Sequence, residues 1–198
     1  MRITAGYARG ILLNSPKGDA TRPATDAARL AVFSSLGEFV EGSKVLDIFA
    51  GTGAYGLEAA SRGANKIVLV ENSSQAFKVL KSNISTIAKF TKAKISPLFA
   101  DCFKCTKNLN GETFDLIFAD PPYALLKNTD FEQKLALLFD LVSSESSIII
   151  LEAPADYEPN ADIFKTFEIF KRLGKKSKGK PSQIFLKKLT PISQNENE

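Results

Sequence analysis

The sequence predicts an α/β fold in which a mainly parallel, doubly wound, Rossmann-like sheet of seven strands carries helices on both faces. Three observations predict it. From Lys44 onward, short apolar runs alternate with segments whose apolar residues recur at helical spacing. Several of these runs have fully apolar centres, which is typical of parallel strands buried on both faces. Two further runs near the C-terminus are expected to pair as an antiparallel hairpin.

Residues 1–43 are predicted to form an N-terminal extension packed on the main domain. The segments RITAG and ILLNSP, which begin at Arg2 and Ile11, have the pattern of a short β-hairpin. The stretch Thr21–Gly37 is typical of a turn followed by a helix of roughly ten residues. Thr25 is the candidate N-cap of that helix, because its hydroxyl can accept a free N–H of the first turn.

The main domain is predicted over residues 44–190. Its elements are a strand at Lys44–Phe49, a helix ending near Arg62, a strand at Lys66–Glu71, a helix at Ser74–Ala88, a strand at Lys94–Ala100 that Pro97 weakens, a strand at Thr113–Asp120, a helix at Asp130–Val142 and a strand at Ser146–Ala153. The closing hairpin is expected from the runs Ile163–Phe170 and Gln183–Leu189. Residues 191–198 are polar, and we expect a flexible tail.

Composition narrows the function classes. No apolar run reaches the roughly 20 residues that span a bilayer, and the N-terminus lacks the apolar core of a secretory signal. With two cysteines in 198 residues, we expect a cytoplasmic, disulfide-free protein, monomeric and without membrane association. The chain contains no histidine, which excludes an imidazole base and most catalytic zinc sites, so we expect no metal.

Positive charge is concentrated in two regions. Residues 171–180 have the sequence KRLGKKSKGK, with six basic residues and no acid, and the first 37 residues carry five basic residues against two acids. Such clusters suit a polyanionic partner, since each neutralised phosphate releases counterions. A solvated basic loop would have the same composition.

The first strand leads into Gly51-Thr52-Gly53-Ala54-Tyr55-Gly56, a literal G-x-G-x-x-G. In a dinucleotide site, a carboxylate beside the pyrophosphate would be repelled, yet Asp47 lies four residues before Gly51. A carboxylate there favours a ligand with an amine or a sulfonium, such as S-adenosylmethionine. Gly51 and Gly53 would allow close approach of the backbone, while Gly56 is expected to serve helix packing.

Two later strand ends agree with a nucleoside ligand. Glu71 closes the second strand, where an acid can accept hydrogen bonds from both ribose hydroxyls. Asp101 closes the third strand, in a position to meet an adenine amino group. The Cys102–Cys105 pair lacks the further ligands that a zinc site needs. Cys102 and Phe103 are instead expected to flank the adenine, because they directly follow Asp101. Phe49 is either core or pocket wall.

The fourth strand ends in Asp120-Pro121-Pro122-Tyr123, the most specific motif of the chain. The prolines end the strand and remove two backbone donors, which leaves acceptors beside an aromatic ring. This combination can clamp a planar base that carries an exocyclic amine. Hydrogen bonds from the amine to Asp120 and to the Pro121 carbonyl would aim its lone pair at a methyl donor. Either Asp120 or water would take the released proton.

Together, DIFAGTGAYGLEAASRGA, Glu71 and DPPY resemble class I methyltransferases that act on exocyclic amines. The N-terminal segment MRITAGYARGILLNSPKGDATRPATDAARLAVFSSLG resembles, more specifically, the bacterial 16S ribosomal RNA guanine-N2 methyltransferases of the RsmD type. The similarity extends from Met1 to about Tyr123 and weakly beyond. It implies the class I fold, S-adenosylmethionine as the methyl donor with S-adenosylhomocysteine as product, and a guanine of 16S rRNA as target, within a small-subunit particle.

The resemblance also implies roles for residues. Those lining the cofactor site would be Asp47, Phe49, Ala50, Gly51, Thr52, Gly53, Glu71, Asn72, Asp101, Cys102 and Phe103. Thr25 and Asp26 would lie beside the cofactor and the target pocket, and Asp120–Tyr123 would hold a flipped guanine. The RNA would meet Arg2, Arg9, Lys17 and Arg22. Because Ala27, Ala28 and Leu30 stand where the family has basic residues, RNA binding would rely more on Lys175, Lys176, Lys178 and Lys180.

Three alternatives remain open from the sequence. DPPY is shared with N6-adenine methyltransferases of DNA and RNA. A non-catalytic RNA-binding assembly factor could retain the fold, although the intact DPPY is against it. An NAD-linked oxidoreductase would explain the glycines, but not Asp47.

Overall fold

The computed structural model describes residues 1–16, 25–174, 177 and 179–189. The seven strands form one sheet: β1 (Lys44–Asp47), β2 (Lys66–Glu71), β3 (Lys94–Phe99), β4 (Phe114–Ala119), β5 (Ser143–Pro154), β6 (Phe167–Leu173) and β7 (Pro181–Lys188). Their order is β3-β2-β1-β4-β5-β7-β6. Strands β1 to β5 pair in parallel, whereas β7 is antiparallel to both β5 and β6. The predicted fold class is confirmed.

In the described part of the chain, five α-helices accompany the sheet: α1 (Asp26–Leu36), α2 (Ala54–Ser61), α3 (Ser74–Ile87), α4 (Thr106–Leu109) and α5 (Thr129–Val142). Thr25 caps α1 as predicted, because its hydroxyl accepts the Ala28 N–H. The short α4 was not predicted, since four residues carry no periodic signal.

Alternate residues of each strand pack into two different hydrophobic cores. In β4, Ile117 and Ala119 pack toward α4 and α5, whereas Leu116 and Phe118 pack toward α1, α2 and α3. This arrangement explains why the central strands are apolar on both faces. No helix among the described residues has the length and apolarity to cross a membrane.

The N-terminal segment packs against the second of these cores. Arg2 and Leu12 form a single antiparallel bridge, so the predicted hairpin is present in its smallest form. Ile3, Ala8 and Leu13 are buried with α1, α2 and α3. The domain limits at residues 43 and 190 stay predictions, and the expected tail at 191–198 lies outside the described residues.

Several strands differ from prediction in their limits, and Pro97 does not interrupt β3. Pro97 is accommodated because β3 is the edge strand of the sheet. The predicted first strand included Phe49, but β1 ends at Asp47. β6 begins later and continues to Leu173, so the basic run 171–180 starts as a strand. Lys180, the last residue of that run, lies beside the carboxyl end of β5, where the Ala155 N–H donates to its carbonyl at 2.8 Å.

Candidate active site

A cavity of about 560 Å³ opens where β1, β2 and β4 end. This size is ordinary for a small-molecule site. Ten of the residues proposed from the sequence line it: Asp47, Phe49, Ala50, Gly51, Thr52, Glu71, Asn72, Cys102, Asp120 and Pro122. Parallel strands bring their carboxyl ends to one edge of the sheet, which is why residues distant in sequence meet here.

The glycine loop is tied to the end of β2 by Glu71. The Gly51 N–H donates to Glu71 Oε2 at 2.7 Å, and the Ser73 N–H donates to Oε1 at 2.6 Å. Each carboxylate oxygen keeps a further lone pair, with which the side chain could accept ligand hydroxyls. A Cβ at Gly51 would meet no atom within 4 Å, so this part of the loop faces open space.

The other two glycines serve packing. Gly53 has φ 88°, and a Cβ there would approach Leu80 Cδ1 to 2.6 Å. Gly53 lies outside the cavity lining, on the side of the loop that faces α3. At Gly56 a Cβ would come within 2.3 Å of Leu69 Cδ2, so this glycine lets α2 pack closely on β2, as predicted.

Asp47 is a buried carboxylate in the wall of the cavity. Burial raises its pKa to about 7, the Glu71 charge adds to the rise, and the Gly56 and Phe49 N–H groups oppose it. The Gly56 N–H donates to Asp47 Oδ2 at 3.2 Å. No ion pair among the described residues neutralises this aspartate. A cation bound beside Asp47 would therefore lower the pKa of this carboxyl and stabilise its ionised form.

The DPPY motif contributes to the wall of the same cavity. Asp120 and Pro122 line the cavity, while Pro121 is buried and Tyr123 is half-buried beside it. Burial, then the charges of Glu152 and Asp47, raise the pKa of Asp120 well above its usual range. The motif thus places an acceptor and an aromatic ring at the cavity that Asp47 and Glu71 share.

Two side chains beside this motif were missed. Glu152 is buried at the end of β5 and accepts the Tyr55 hydroxyl at 3.1 Å and the Tyr123 hydroxyl at 3.3 Å. The Tyr55 ring stacks on Phe118 with centroids 4.9 Å apart and also lines the cavity. The rule that singled out Asp120 would have found Glu152 as well had it been applied to the end of the parallel pairing, since Glu152 directly follows Leu151, the last residue of β5 that pairs with β4.

The N-terminal segment supplies a wall that no sequence signal indicated. Ser15 and Pro16 line the cavity. The segment is held there by the buried Asn83 of α3, whose Oδ1 accepts the Asn14 N–H at 2.8 Å and whose Nδ2 donates to the Thr52 carbonyl at 2.9 Å. One side chain thus fixes both the segment and the glycine loop.

Five of the residues proposed for the cofactor site lie outside the lining: Gly53, as described above, and Thr25, Asp26, Asp101 and Phe103. Thr25 caps α1, and Asp26 pairs with Arg29 at 3.0 Å and with Arg2 at 3.6 Å. Asp101 accepts the Phe103 N–H at 2.9 Å, and Phe103 packs edge-on against Phe131. Their proposed contacts with a cofactor remain predictions.

The proposed RNA contacts are partly described. Arg9 and Lys180 are exposed, whereas Arg2 is exposed but paired with Asp26. Lys17, Arg22, Lys175, Lys176 and Lys178 lie outside the described residues.

The two cysteines are buried in the core beside the cavity. Burial, followed by the Asp101 charge, raises the pKa of Cys102 to about 12 and that of Cys105 to about 11. Both thiols are therefore protonated at neutral pH, which is the inert state. Among the described residues, no group of three or more cysteine, aspartate or glutamate side chains could hold a metal ion.

Comparison with known proteins identifies relatives over nearly the whole chain. The family model described as "Conserved hypothetical protein 95" matches residues 1–186. The chain is 31% identical over 163 residues to "Putative rRNA methyltransferase YlbH" of Bacillus subtilis (strain 168), covering 80% of this chain and 85% of the relative. It is 30% identical over 157 residues to "Ribosomal RNA small subunit methyltransferase D" of Buchnera aphidicola (strain APS), covering 75% and 81%.

Solved structures share the fold. The structure described as "Putative methyltransferase yhhF from Escherichia coli" has a TM-score of 0.78 at 23% identity, covering 95% of this chain and 97% of that one. A second structure, described as "SMU.776, a putative methyltransferase complexed with SAH", has a TM-score of 0.60 at 17% identity and covers 78% of this chain and 48% of that one.

Proposed function

Because the chain belongs to the family described as conserved hypothetical protein 95, we propose that it transfers a methyl group from S-adenosylmethionine to the exocyclic N2 amine of a guanine in 16S ribosomal RNA. The relatives named as ribosomal RNA methyltransferases support an rRNA substrate. We further propose that it acts as a cytoplasmic monomer on rRNA within a small-subunit particle. The choice of guanine as the target base and of N2 as the methylated atom is supported by the residues of the candidate active site.

One observation carries this proposal: the motif Asp120-Pro121-Pro122-Tyr123 directly follows β4, and its Asp120 and Pro122 line the same cavity as Asp47, Gly51 and Glu71. A clamp for an exocyclic amine and a pocket for a cationic nucleoside thus share one space. Methyl transfer between two bound molecules needs this adjacency, because it depends on in-line positioning of the reacting atoms.

The cofactor pocket fits S-adenosylmethionine by charge and by hydrogen bonding. Asp47 offers a buried carboxylate to the amine or sulfonium, and Glu71 has free lone pairs for the ribose hydroxyls. When bound, the cofactor supplies a methyl group on a positively charged sulfur, a strong electrophile. The neighbouring structure complexed with SAH has the same fold.

At the target side, Asp120 and the Pro121 carbonyl would accept the two amine hydrogens, and Tyr123 would stack on the base. The N2 lone pair then forms the nitrogen–carbon bond while the carbon–sulfur pair returns to sulfur, which leaves a neutral thioether. N2 loses one proton. The raised pKa of Asp120 makes its carboxylate a stronger base than an ordinary aspartate, which suits it to take that proton.

The test uses 30S particles and naked 16S rRNA from a strain that lacks the gene. Each is incubated with purified protein and methyl-labelled cofactor, and the nucleosides are resolved by mass spectrometry. We expect label in N2-methylguanosine, at one mapped position. Label in N6-methyladenosine would replace the proposal by the adenine alternative, and absence of label from both RNAs would favour a non-catalytic assembly factor.

Cofactor affinity should depend on pH through Asp47. Its pKa in the folded protein is about 7, so below that value the carboxylate must lose a proton before it can pair with a cation. We expect the Kd for S-adenosylmethionine to be about tenfold weaker at pH 6 than at pH 8 through this group. Isothermal titration calorimetry at both pH values measures it.

The Asp47→Asn variant is the matched control, because it keeps the side-chain volume but cannot titrate. The pH dependence of the Kd that remains in this variant comes from the ligand's own amine, and it is subtracted from the pH dependence of the wild type. Equal pH dependence in the two proteins would remove Asp47 from the cofactor site.

RNA binding should depend on salt through the basic run. Lys180 lies beside the carboxyl end of β5, at the sheet edge where the cavity opens. We propose that Lys180, together with Lys178 near it in sequence, contacts phosphates near the target. The Lys178→Ala/Lys180→Ala variant should reduce the slope of log affinity against log salt by about 0.7–0.9 for each lost contact. Filter binding to 16S rRNA at several salt concentrations measures the slope.

The control removes the same charge at the opposite edge. Lys94 begins β3, and Lys89 follows the end of α3; both are exposed. We expect Lys89→Ala/Lys94→Ala to keep the wild-type slope. A slope unchanged in the Lys178/Lys180 variant would refute the assignment.

A further inference from the structure

Strand register places a second carboxylate directly beside the DPPY motif. Ala119 of β4 pairs with Leu151 of β5, so the next residues, Asp120 and Glu152, are neighbours. Glu152 in turn pairs with Gln183 of β7. The Tyr123 hydroxyl of the motif donates to Glu152 Oε1 at 3.3 Å, so the carboxylate lies in contact with DPPY.

The hydrogen bonds of Glu152 are divided unequally between its two oxygens. Oε2 accepts the Tyr55 hydroxyl at 3.1 Å and the Gln183 Nε2 at 3.2 Å. Oε1 accepts the Tyr123 hydroxyl at 3.3 Å, its one donor among the described residues. Two donors occupy both lone pairs of Oε2, whereas Oε1 retains acceptor capacity on the side of DPPY.

No described cation pairs with Glu152, although it is only 5% exposed. A buried carboxylate with spare acceptor capacity is costly unless a further donor meets it. A base held by Asp120 and Tyr123 would present its next ring atom toward Oε1.

The edge of guanine offers such a donor. Its N1–H lies next to the N2 amine, so one carboxylate can accept from N2 while a second accepts from N1. Adenine carries a lone pair on N1 beside its N6 amine, and a carboxylate facing that lone pair is repelled. An enzyme that methylates adenine would gain nothing from a second carboxylate at this place.

From this arrangement we infer that Glu152 is the residue that selects guanine, by accepting the N1–H of the flipped base through Oε1. The inference rests on the proposed function, since it concerns the base held by the same motif. Tyr55 and Gln183 hold Oε2 and so orient Oε1 toward the base. Reading a flipped base through its Watson–Crick edge is how base-modifying enzymes achieve selectivity.

The first test needs no variant protein. Once the methylated position has been mapped, 16S rRNA is prepared with either guanine or 2-aminopurine there and assembled into 30S particles. 2-Aminopurine keeps the amine that is methylated but has a lone pair at N1. We expect methylation at 2-aminopurine to be slower by about 10- to 100-fold, the loss that accompanies one mispaired base contact.

The second test uses Glu152→Gln. The donors Tyr55 and Gln183 should hold the amide oxygen of the new side chain, which turns its NH2 toward the base. That NH2 opposes the guanine N1–H and matches the N1 lone pair of 2-aminopurine. We expect the ratio of the guanine rate to the 2-aminopurine rate to fall by at least about tenfold. Binding of SAH checks that the variant is folded.

Tyr55→Phe is the matched control, because it removes one hydrogen bond to Glu152 and leaves both carboxylate oxygens. Its rates on both substrates should fall together, with the wild-type ratio kept. Equal rates on guanine and 2-aminopurine in the wild type, or a Glu152→Gln ratio that stays unchanged, would overturn the inference. A wild type that labels no guanine would instead contradict the proposed function.

Discussion

Replacing Asp120 by alanine is expected to reduce the rate of methyl transfer by about 100- to 1,000-fold, the loss typical when one hydrogen-bonding group aimed at the transition state is removed. The substitution removes the acceptor that orients the target amine and a candidate acceptor for its proton. Single-turnover methylation of 30S particles measures the rate. Because Asp120 acts on the target rather than on the cofactor, we expect SAH affinity to change little.

The fold should tolerate this substitution. The pKa of Asp120 is higher in the folded protein than in the unfolded chain, mainly because of burial. The stability that its protonation provides is therefore present at low pH and is lost as the pH rises through the folded value. At neutral pH and above, removing the carboxylate should not lower the midpoint of thermal unfolding. An Asp120→Ala protein that still methylates rRNA at the wild-type rate would exclude DPPY as the catalytic motif.

Replacing Glu58 by alanine should produce the largest loss of stability. Glu58 is fully buried and pairs with the buried Arg29 at 3.5 Å and with Arg62 at 2.8 Å. It also accepts the N–H groups of Thr4 at 2.8 Å and Ala5 at 3.1 Å. Removing one partner of a buried ion pair costs about 3–5 kcal/mol, because the remaining charge is left without compensation.

Thermal unfolding followed by circular dichroism measures this loss. We expect the midpoint to fall by roughly 2–4 °C for each kcal/mol in a chain of this size. The control is Glu112→Ala, which removes the part-exposed pairs with Lys44 and Lys66 and should cost about 1 kcal/mol or less. Similar losses in the two variants would show that the buried pair does not anchor the N-terminal segment.

Some features of the fold followed from the sequence because their causes are local. The apolar alternation predicted β2 at its observed limits and α3 within one residue of its end. Thr25 was identified as a cap because only its own hydroxyl and the following turn are involved. The glycine at 56 was assigned to packing from its place in a strand–loop–helix unit, and the contact with Leu69 agrees.

Other features could not be predicted because they depend on pairing between distant segments. Ser15 and Pro16 reach the cavity through Asn83, 69 residues beyond Asn14, and no local pattern encodes that contact. Gly53 was assigned to the cofactor, yet its packing against Leu80 is visible only when α3 is in place.

By itself, the sequence determined the chemistry at each strand end: Asp47, Glu71 and Asp120 follow apolar runs, and glycine, polar residues or prolines follow them in turn. These are properties of residues that are neighbours along the chain. They are fixed by backbone sterics and by the alternation of side chains between the two faces of a strand. Only the tertiary structure decided which strand ends share a cavity. The order β1-β4-β5-β7 sets Glu152 between Asp120 and Gln183, since register is fixed by burying both faces of every central strand at once.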